Sequence, residues 1–148
     1  MNGSPVVIDA SITARLLMPD QLSGACWSLL ESLVEASHQI IMPAFWAYEV
    51  TSSLTKAVSF AVLTIDEART GLAQISLLGA QLIAPDEEQN RRAFEWTVRL
   101  KRSAAYDSYY IALAESFGCE FWTADRRLFN AAREAQLNWV HWVEETHF

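Results

Sequence analysis

The chain has 148 residues, 51% of them hydrophobic and 20% charged, which suits one domain that buries about two-thirds of its unfolded surface and excludes wholesale disorder. Its formal charge is −7, from 18 acidic against 11 basic side chains, which excludes a protein that coats nucleic acid through its net field. A nuclease is not excluded, because a metal site needs local carboxylates and a local basic rim can hold phosphate.

Pro5 to Asp9 reads as a short buried strand, Val-Val-Ile, closing on an acid. Ser11 is the expected N-cap of a helix through Ile12, Leu16 and Leu17, which Pro19-Asp20 breaks. A second helix is expected from about Leu22 to Ser37, with Cys26, Leu29, Leu30 and Leu33 on its apolar side. Ile40 to Met42 is a strand ended by Pro43, and Ala44 to about Phe60 a helix with Trp46, Val50, Leu54 and Ala57 or Val58 as its packed stripe. Glu49 lies beside that stripe. Thr64 opens a helix carrying Leu72, Ile75 and Leu78 inward until Gly79. Gln81 to Ala84 is a strand, and Asp86 starts a helix that ends near Arg102.

The central unit follows. Asp107, Tyr110, Ile111 and Ala114 share one helical face, Gly118 stops that helix, and Cys119 to Thr123 is a buried strand. Asp125 sits where this strand yields to a helix over Arg126 to Gln136, and Asn138 to Val143 is a last strand covered on both faces. Strands separated by helices along the whole chain predict a three-layer α/β/α sandwich on a mainly parallel sheet, forming a single domain over residues 1–148.

Cys26 and Cys119 lie far apart, without metal-ligand spacing, and read as reduced core thiols. The first residues carry no signal pattern, and no apolar run approaches the ~20 residues that span a bilayer. The expectation is a cytoplasmic protein without membrane contact.

Asp9, Glu49, Asp107 and Asp125 all fall at element ends. In a parallel sheet the carboxyl ends of the strands share one edge, where open α/β sheets put their sites. Singly, each acid has a plain role as cap, turn or solvated charge. Four together repel one another unless protonated or neutralised by a cation, and hard oxygen ligands suit Mg²⁺ or Mn²⁺. Such an ion activates water and stabilises the leaving oxygen of a phosphodiester.

The segments Val7-Ile8-Asp9-Ala10-Ser11, Pro43-Ala44-Phe45-Trp46-Ala47-Tyr48-Glu49-Val50, Tyr106-Asp107-Ser108-Tyr109-Tyr110-Ile111-Ala112-Leu113-Ala114 and Thr123-Ala124-Asp125-Arg126-Arg127-Leu128 resemble the successive motifs of PIN domains. The nearest likeness is to the VapC-type toxins of toxin–antitoxin pairs. The likeness covers nearly the whole chain and rests on order and spacing rather than on any one motif. It implies a metal-dependent endoribonuclease in which Asp9, Glu49 and Asp107 are the core acids, Asp125 is the fourth, and Ser11 and Thr123 are supporting hydroxyls. It also implies RNA as substrate, a small antitoxin as partner and a homodimer. Many members carry a further Asp or Asn soon after the fourth acid; here Arg126, Arg127, Leu128 and Phe129 follow, with Asn130 beyond.

Arg91, Arg92, Arg99, Lys101, Arg102, Arg126 and Arg127 are candidates for a phosphate-holding rim, against the plainer reading of a solvated helix face. The six tryptophans read mostly as core, and His38, His141 and His147 lie away from the motifs. Two rival readings stand beside the nuclease. One is a non-catalytic PIN-like binding or regulatory protein. The other is a phosphatase with Asp9 as nucleophile, disfavoured because the second Asp such enzymes place two residues on is Ser11 here.

Overall fold

A computed structural model describes residues 3–145. The predicted strands form one five-stranded sheet in the order β3-β2-β1-β4-β5, with every neighbouring pair parallel. They are β1 (Pro5–Ile8), β2 (Gln39–Pro43), β3 (Gln81–Ile83), β4 (Glu120–Thr123) and β5 (Val140–Trp142). Seven helices lie among the described residues: α1 (Ala10–Leu17), α2 (Ser23–Glu35), α3 (Trp46–Ser59), α4 (Ile65–Ser76), α5 (Glu87–Arg99), α6 (Tyr106–Phe117) and α7 (Arg126–Glu134).

Alternation along the strands builds the three layers. Val6, Ile8, Ile40, Met42, Trp122 and Trp142 face a core made with α1 to α4. Val7, Ile41 and Phe121, the alternate residues of the central strands, face a second core made with Val140 of β5, Trp96 of α5, Tyr110, Ile111, Leu113 and Ala114 of α6, and Leu128 and Ala132 of α7; β5 departs from the alternation, since Val140 and Trp142 lie two apart and join different cores. Since side chains alternate at period two, strands sandwiched between helix layers must be apolar at nearly every position. Val6 to Ile8, Ile40 to Pro43 and Phe121 to Trp122 in the central strands are, whereas the edge strand β3 is largely exposed. The α/β/α sandwich expected from the sequence is therefore the fold.

The order in which strands are added reverses between β1 and β4: β1, β2 and β3 step outward on one side, β4 and β5 on the other. Register pairs Val7 with Phe121 and Ile8 with Trp122, so the next residues, Asp9 and Thr123, meet at the carboxyl edge. A crevice at such a reversal is where doubly wound sheets bind ligands.

Several expected details differ. Ser11 is not the cap of α1; Asp9 is, accepting from the Ser11 and Ile12 backbone N–H groups. Leu72 is 39% exposed, and α4 turns Ala68 and Gly71 inward beside Ile75, which is buried as expected. The α5 helix ends at Arg99, because Lys101 takes a positive φ of 54°. Its N–H and that of Arg102 then bond back to the Val98 and Thr97 carbonyls, which is the Schellman stop. Gly118 ends α6 in the same left-handed region, as expected. Among the tryptophans, Trp46, Trp96, Trp122 and Trp142 are buried, whereas Trp27 is 49% exposed and Trp139 half-buried. His147 lies outside the described residues. No described helix is long and apolar enough to cross a membrane.

Candidate metal centre

Asp9 is the innermost acid. It is 4% exposed and surrounded by donors on both oxygens. Oδ1 accepts from the Ser11 backbone N–H at 3.1 Å, the Ile12 N–H at 3.3 Å and the Ser11 hydroxyl. Oδ2 accepts from the Thr123 hydroxyl at 2.5 Å. The two hydroxyls are in turn fixed by the β4–α7 turn, where the Ala124 N–H donates to Ser11 Oγ at 2.9 Å and the Asp125 N–H to Thr123 Oγ1 at 3.0 Å. Ser11 and Thr123 thus do stand beside Asp9. Burial nevertheless dominates and pushes its carboxyl up to about 7, against the pull of these hydrogen bonds and with a further push from Asp107.

Glu49 enters from the first turn of α3, and Tyr110 of α6 donates its hydroxyl to Glu49 Oε1 at 2.9 Å. Tyr110 is 1% exposed, so a rigid core residue sets where this carboxylate points. Burial holds Glu49 above the usual range, and Asp107 adds to the shift. Asp107 is in the first turn of α6, with Arg102 Nη2 at 2.7 Å from its Oδ2. Burial raises Asp107 as well; Arg102 opposes and Asp125 reinforces that shift. Asp125 caps α7, with Oδ1 accepting from the Arg127 N–H at 3.0 Å and the Leu128 N–H at 3.1 Å.

Asp107 is therefore the hub: Asp9, Glu49 and Asp125 are each electrostatically linked to it. Glu49 and Asp107 line one cleft of ≈ 390 Å³ with Ala104 and Tyr106. Among the described residues, no three acidic, histidine or cysteine groups stand close enough to enclose an ion by themselves. The donor set still fits a hard, partly hydrated cation. Mg²⁺ keeps several waters and is typically held by one or two carboxylates plus substrate phosphates. Asp9, Glu49 and Asp107 are all raised, mainly by burial, and Arg102 is the cation that opposes the shift at Asp107.

The expected basic rim is mostly committed elsewhere. Arg91 pairs with Glu88 and Glu95, and Arg92 with Glu88 and Glu115. Arg99 lies over the Trp96 ring at 4.2 Å and Arg126 over Trp142 at 3.7 Å. Of these residues Arg102 is the one whose side chain is bonded to a site acid. His141 pairs with Glu120 and Glu145 on β4 and the chain end, away from the acids. Both cysteines are free thiols, and burial raises each to about 11.

Two site residues escaped the sequence reading. Tyr110 looked like core alone, although its place one turn after Asp107 on the same face was a signal. Arg102 was one of seven basic residues, and only the tight end of α5 singles it out.

A PIN domain family model matches residues 6–134. Ribonuclease VapC3 of Pyrobaculum aerophilum is 31% identical over 125 residues, covering 83% of this chain and 91% of that protein. Among solved structures, PAE2754 of Pyrobaculum aerophilum superposes with a TM-score of 0.66 at 18% identity, over 96% of this chain and 92% of that one. VapC20 of Mycobacterium tuberculosis, described as a sarcin-ricin loop cleaving toxin, superposes with a TM-score of 0.58 at 15% identity, over 85% and 94%. By family match, by a relative shared over most of both chains and by fold, this chain belongs to the PIN-domain family and resembles its VapC-type toxins.

Proposed function

We propose that the chain is a divalent-metal-dependent endoribonuclease and the toxin of a toxin–antitoxin pair. The observation that carries the reading is that Glu49 and Asp107 line one cleft at the sheet's carboxyl edge, with Asp9 and Asp125 electrostatically linked to Asp107. A relative named as a ribonuclease over most of its length supports the same substrate.

Asp9, Glu49 and Asp107 would hold Mg²⁺ or Mn²⁺, with Asp125 at the margin. When bound, the ion neutralises these acids, activates water and stabilises charge on the departing oxygen. The chain's own residues do the positioning. Thr123 and Ser11 lock Asp9 in one rotamer, Tyr110 aims Glu49, and Arg102 neutralises Asp107 and lies ready for a substrate phosphate.

For the antitoxin, the candidate surface is a groove of ≈ 340 Å³ between α1, α2 and α4, lined by Leu16, Leu17, Trp27, Leu30, Leu77 and Leu78 among others. Leu33 of α2 is fully buried and takes no part in it. A homodimer completes the proposed assembly.

The test is cleavage of a mixed structured and single-stranded RNA pool with Mn²⁺, by protein purified free of any antitoxin. Cutting that stops with EDTA and in Asp107→Asn supports the reading. RNA left intact by protein that binds Mn²⁺ and has no retained inhibitor contradicts it.

A further inference from the structure

The cleft beside the acids has an aromatic wall. Tyr106 is the residue before Asp107, lines the same cleft as Glu49 and Asp107, and is 63% exposed. It belongs to neither apolar core. A large ring left in water is common on a protein surface; one fixed in place beside a phosphodiester site is less easily dismissed.

It is fixed. Its ring meets Phe45 at 5.7 Å between centroids and 76° between planes. Phe45 also meets Tyr109 at 5.8 Å and Tyr110 at 5.6 Å, both near-perpendicular, so it is a wedge held by α6. Edge-to-face contact of this kind is favourable in itself. It also leaves at least one face of Tyr106 uncovered, whichever of the two rings presents its edge. The neighbouring tyrosine hydroxyls are engaged, Tyr109 with Asn90 at 2.6 Å and Tyr110 with Glu49 at 2.9 Å. Tyr106 is the ring of this group that stays open to a ligand.

We infer that Tyr106 is a base-stacking residue, which seats the base of an unpaired nucleotide next to the phosphate received by Arg102 beside Asp107 and thereby selects unpaired RNA. The inference rests on the nuclease reading and adds a determinant to it. A base–aromatic stack tolerates any base because each has a π-face, whereas a base inside a duplex has both faces covered by its neighbours. The carboxylates give the site no means of telling the two apart; an open ring one residue away does.

The experiment uses a fluorescein-labelled oligoribonucleotide without secondary structure and an otherwise identical strand carrying abasic sugars. Binding is followed by stopped-flow anisotropy in the native background with Mn²⁺, before the strand is cut, and cleavage is measured separately on the same samples. Tyr106→Ala should weaken binding of the ordinary strand by about 5–100-fold, the range expected for one stacked base. Tyr106→Phe, which keeps the ring, should restore it, and the abasic strand should bind all variants alike. Because Tyr106 is exposed, thermal melting should be nearly unchanged in both variants.

The inference is overturned if Tyr106→Ala binds and cuts like the parent, if Tyr106→Phe is as weak as Tyr106→Ala, or if the abasic strand suffers the same loss. In each of those cases the parent still cuts RNA and the nuclease reading survives. A parent that neither binds nor cuts either strand overturns both.

Discussion

The Thr123 hydroxyl donates to Asp9 Oδ2 at 2.5 Å across the seam between β1 and β4, joining two residues 114 positions apart in the chain. The bond follows from register: Ile8 is paired with Trp122, and the next residue on each strand reaches the edge together. It leaves Asp9 oriented before any ion arrives. Hydrogen-bond partners of metal-binding carboxylates commonly tune affinity by about 10–100-fold. Thr123→Val, which keeps shape and loses the donor, should reduce Mn²⁺ affinity and cleavage together by about that factor, and Thr123→Ser should restore most of both. Calorimetric Mn²⁺ titration beside RNA cleavage checks it; unchanged affinity in Thr123→Val would contradict it.

Asp9 also makes stability depend on pH. Its carboxyl is raised to about 7 in the fold, well above about 3.9 in an unfolded chain. In this range the folded state holds more protons than the unfolded one. The stability that Asp9 contributes is complete below about pH 4 and is lost as pH rises through about 7. Metal-free protein should therefore melt at lower temperature at pH 8 than at pH 5, and Asp9→Asn should flatten this difference. Saturating Mg²⁺ should raise the melting point most at pH 8. A melting point independent of pH in EDTA would refute it.

On the proposed reading, Arg102 would compete with the ion. Its guanidinium lies on Asp107 Oδ2 at 2.7 Å, and both side chains are partly exposed, so the pair is worth about 1 kcal/mol at most after screening. Removing it should free that oxygen. Arg102→Gln should tighten Mn²⁺ binding by up to about fivefold while raising the KM for RNA, since a phosphate partner is lost. If affinity for Mn²⁺ and for RNA both weaken, Arg102 instead organises the site.

Tyr110→Phe removes a hydroxyl and little else. Glu49 would lose its 2.9 Å anchor but keep its place on α3, so the expected loss is of aim rather than of a ligand. Cleavage should fall by about tenfold with a smaller loss of Mn²⁺ affinity. Stability should change by only about 0.5–1.5 kcal/mol, because the ring still fills the core. A loss as large as that of Glu49→Gln would mean that the hydroxyl itself is needed in the reaction.

The strands, the order of layers and the place of four acids at element ends were legible because each depends on local pattern. Val6-Val7-Ile8 and Phe121-Trp122 are apolar without a break, as strands covered on both faces must be, and Gly118 marks its helix end by chemistry alone. The pairs that complete the site depend on distant partners. Asp9 displaced Ser11 as cap because the Ser11 hydroxyl serves Asp9 and the β4 turn, a use visible only when β1 and β4 are side by side. Arg91 and Arg92 left the expected rim because Glu88, Glu95 and Glu115 came within reach on α5 and α6. Leu72 was assigned inward by period, whereas the smaller Ala68 and Gly71 allow α4 to approach Leu17 and Leu54.

The central claim, that Asp9, Glu49, Asp107 and Asp125 form one metal-dependent nuclease centre, is tested most directly by measuring Mn²⁺ affinity and RNA cleavage on the same samples. The samples are the native chain, Asp9→Asn and Asp107→Asn, each shown to be folded by thermal melting. The account predicts tight Mn²⁺ binding and EDTA-sensitive cleavage in the native chain, with both lost in the two variants. Cleavage that persists in either variant, or Mn²⁺ binding indifferent to both, would contradict it.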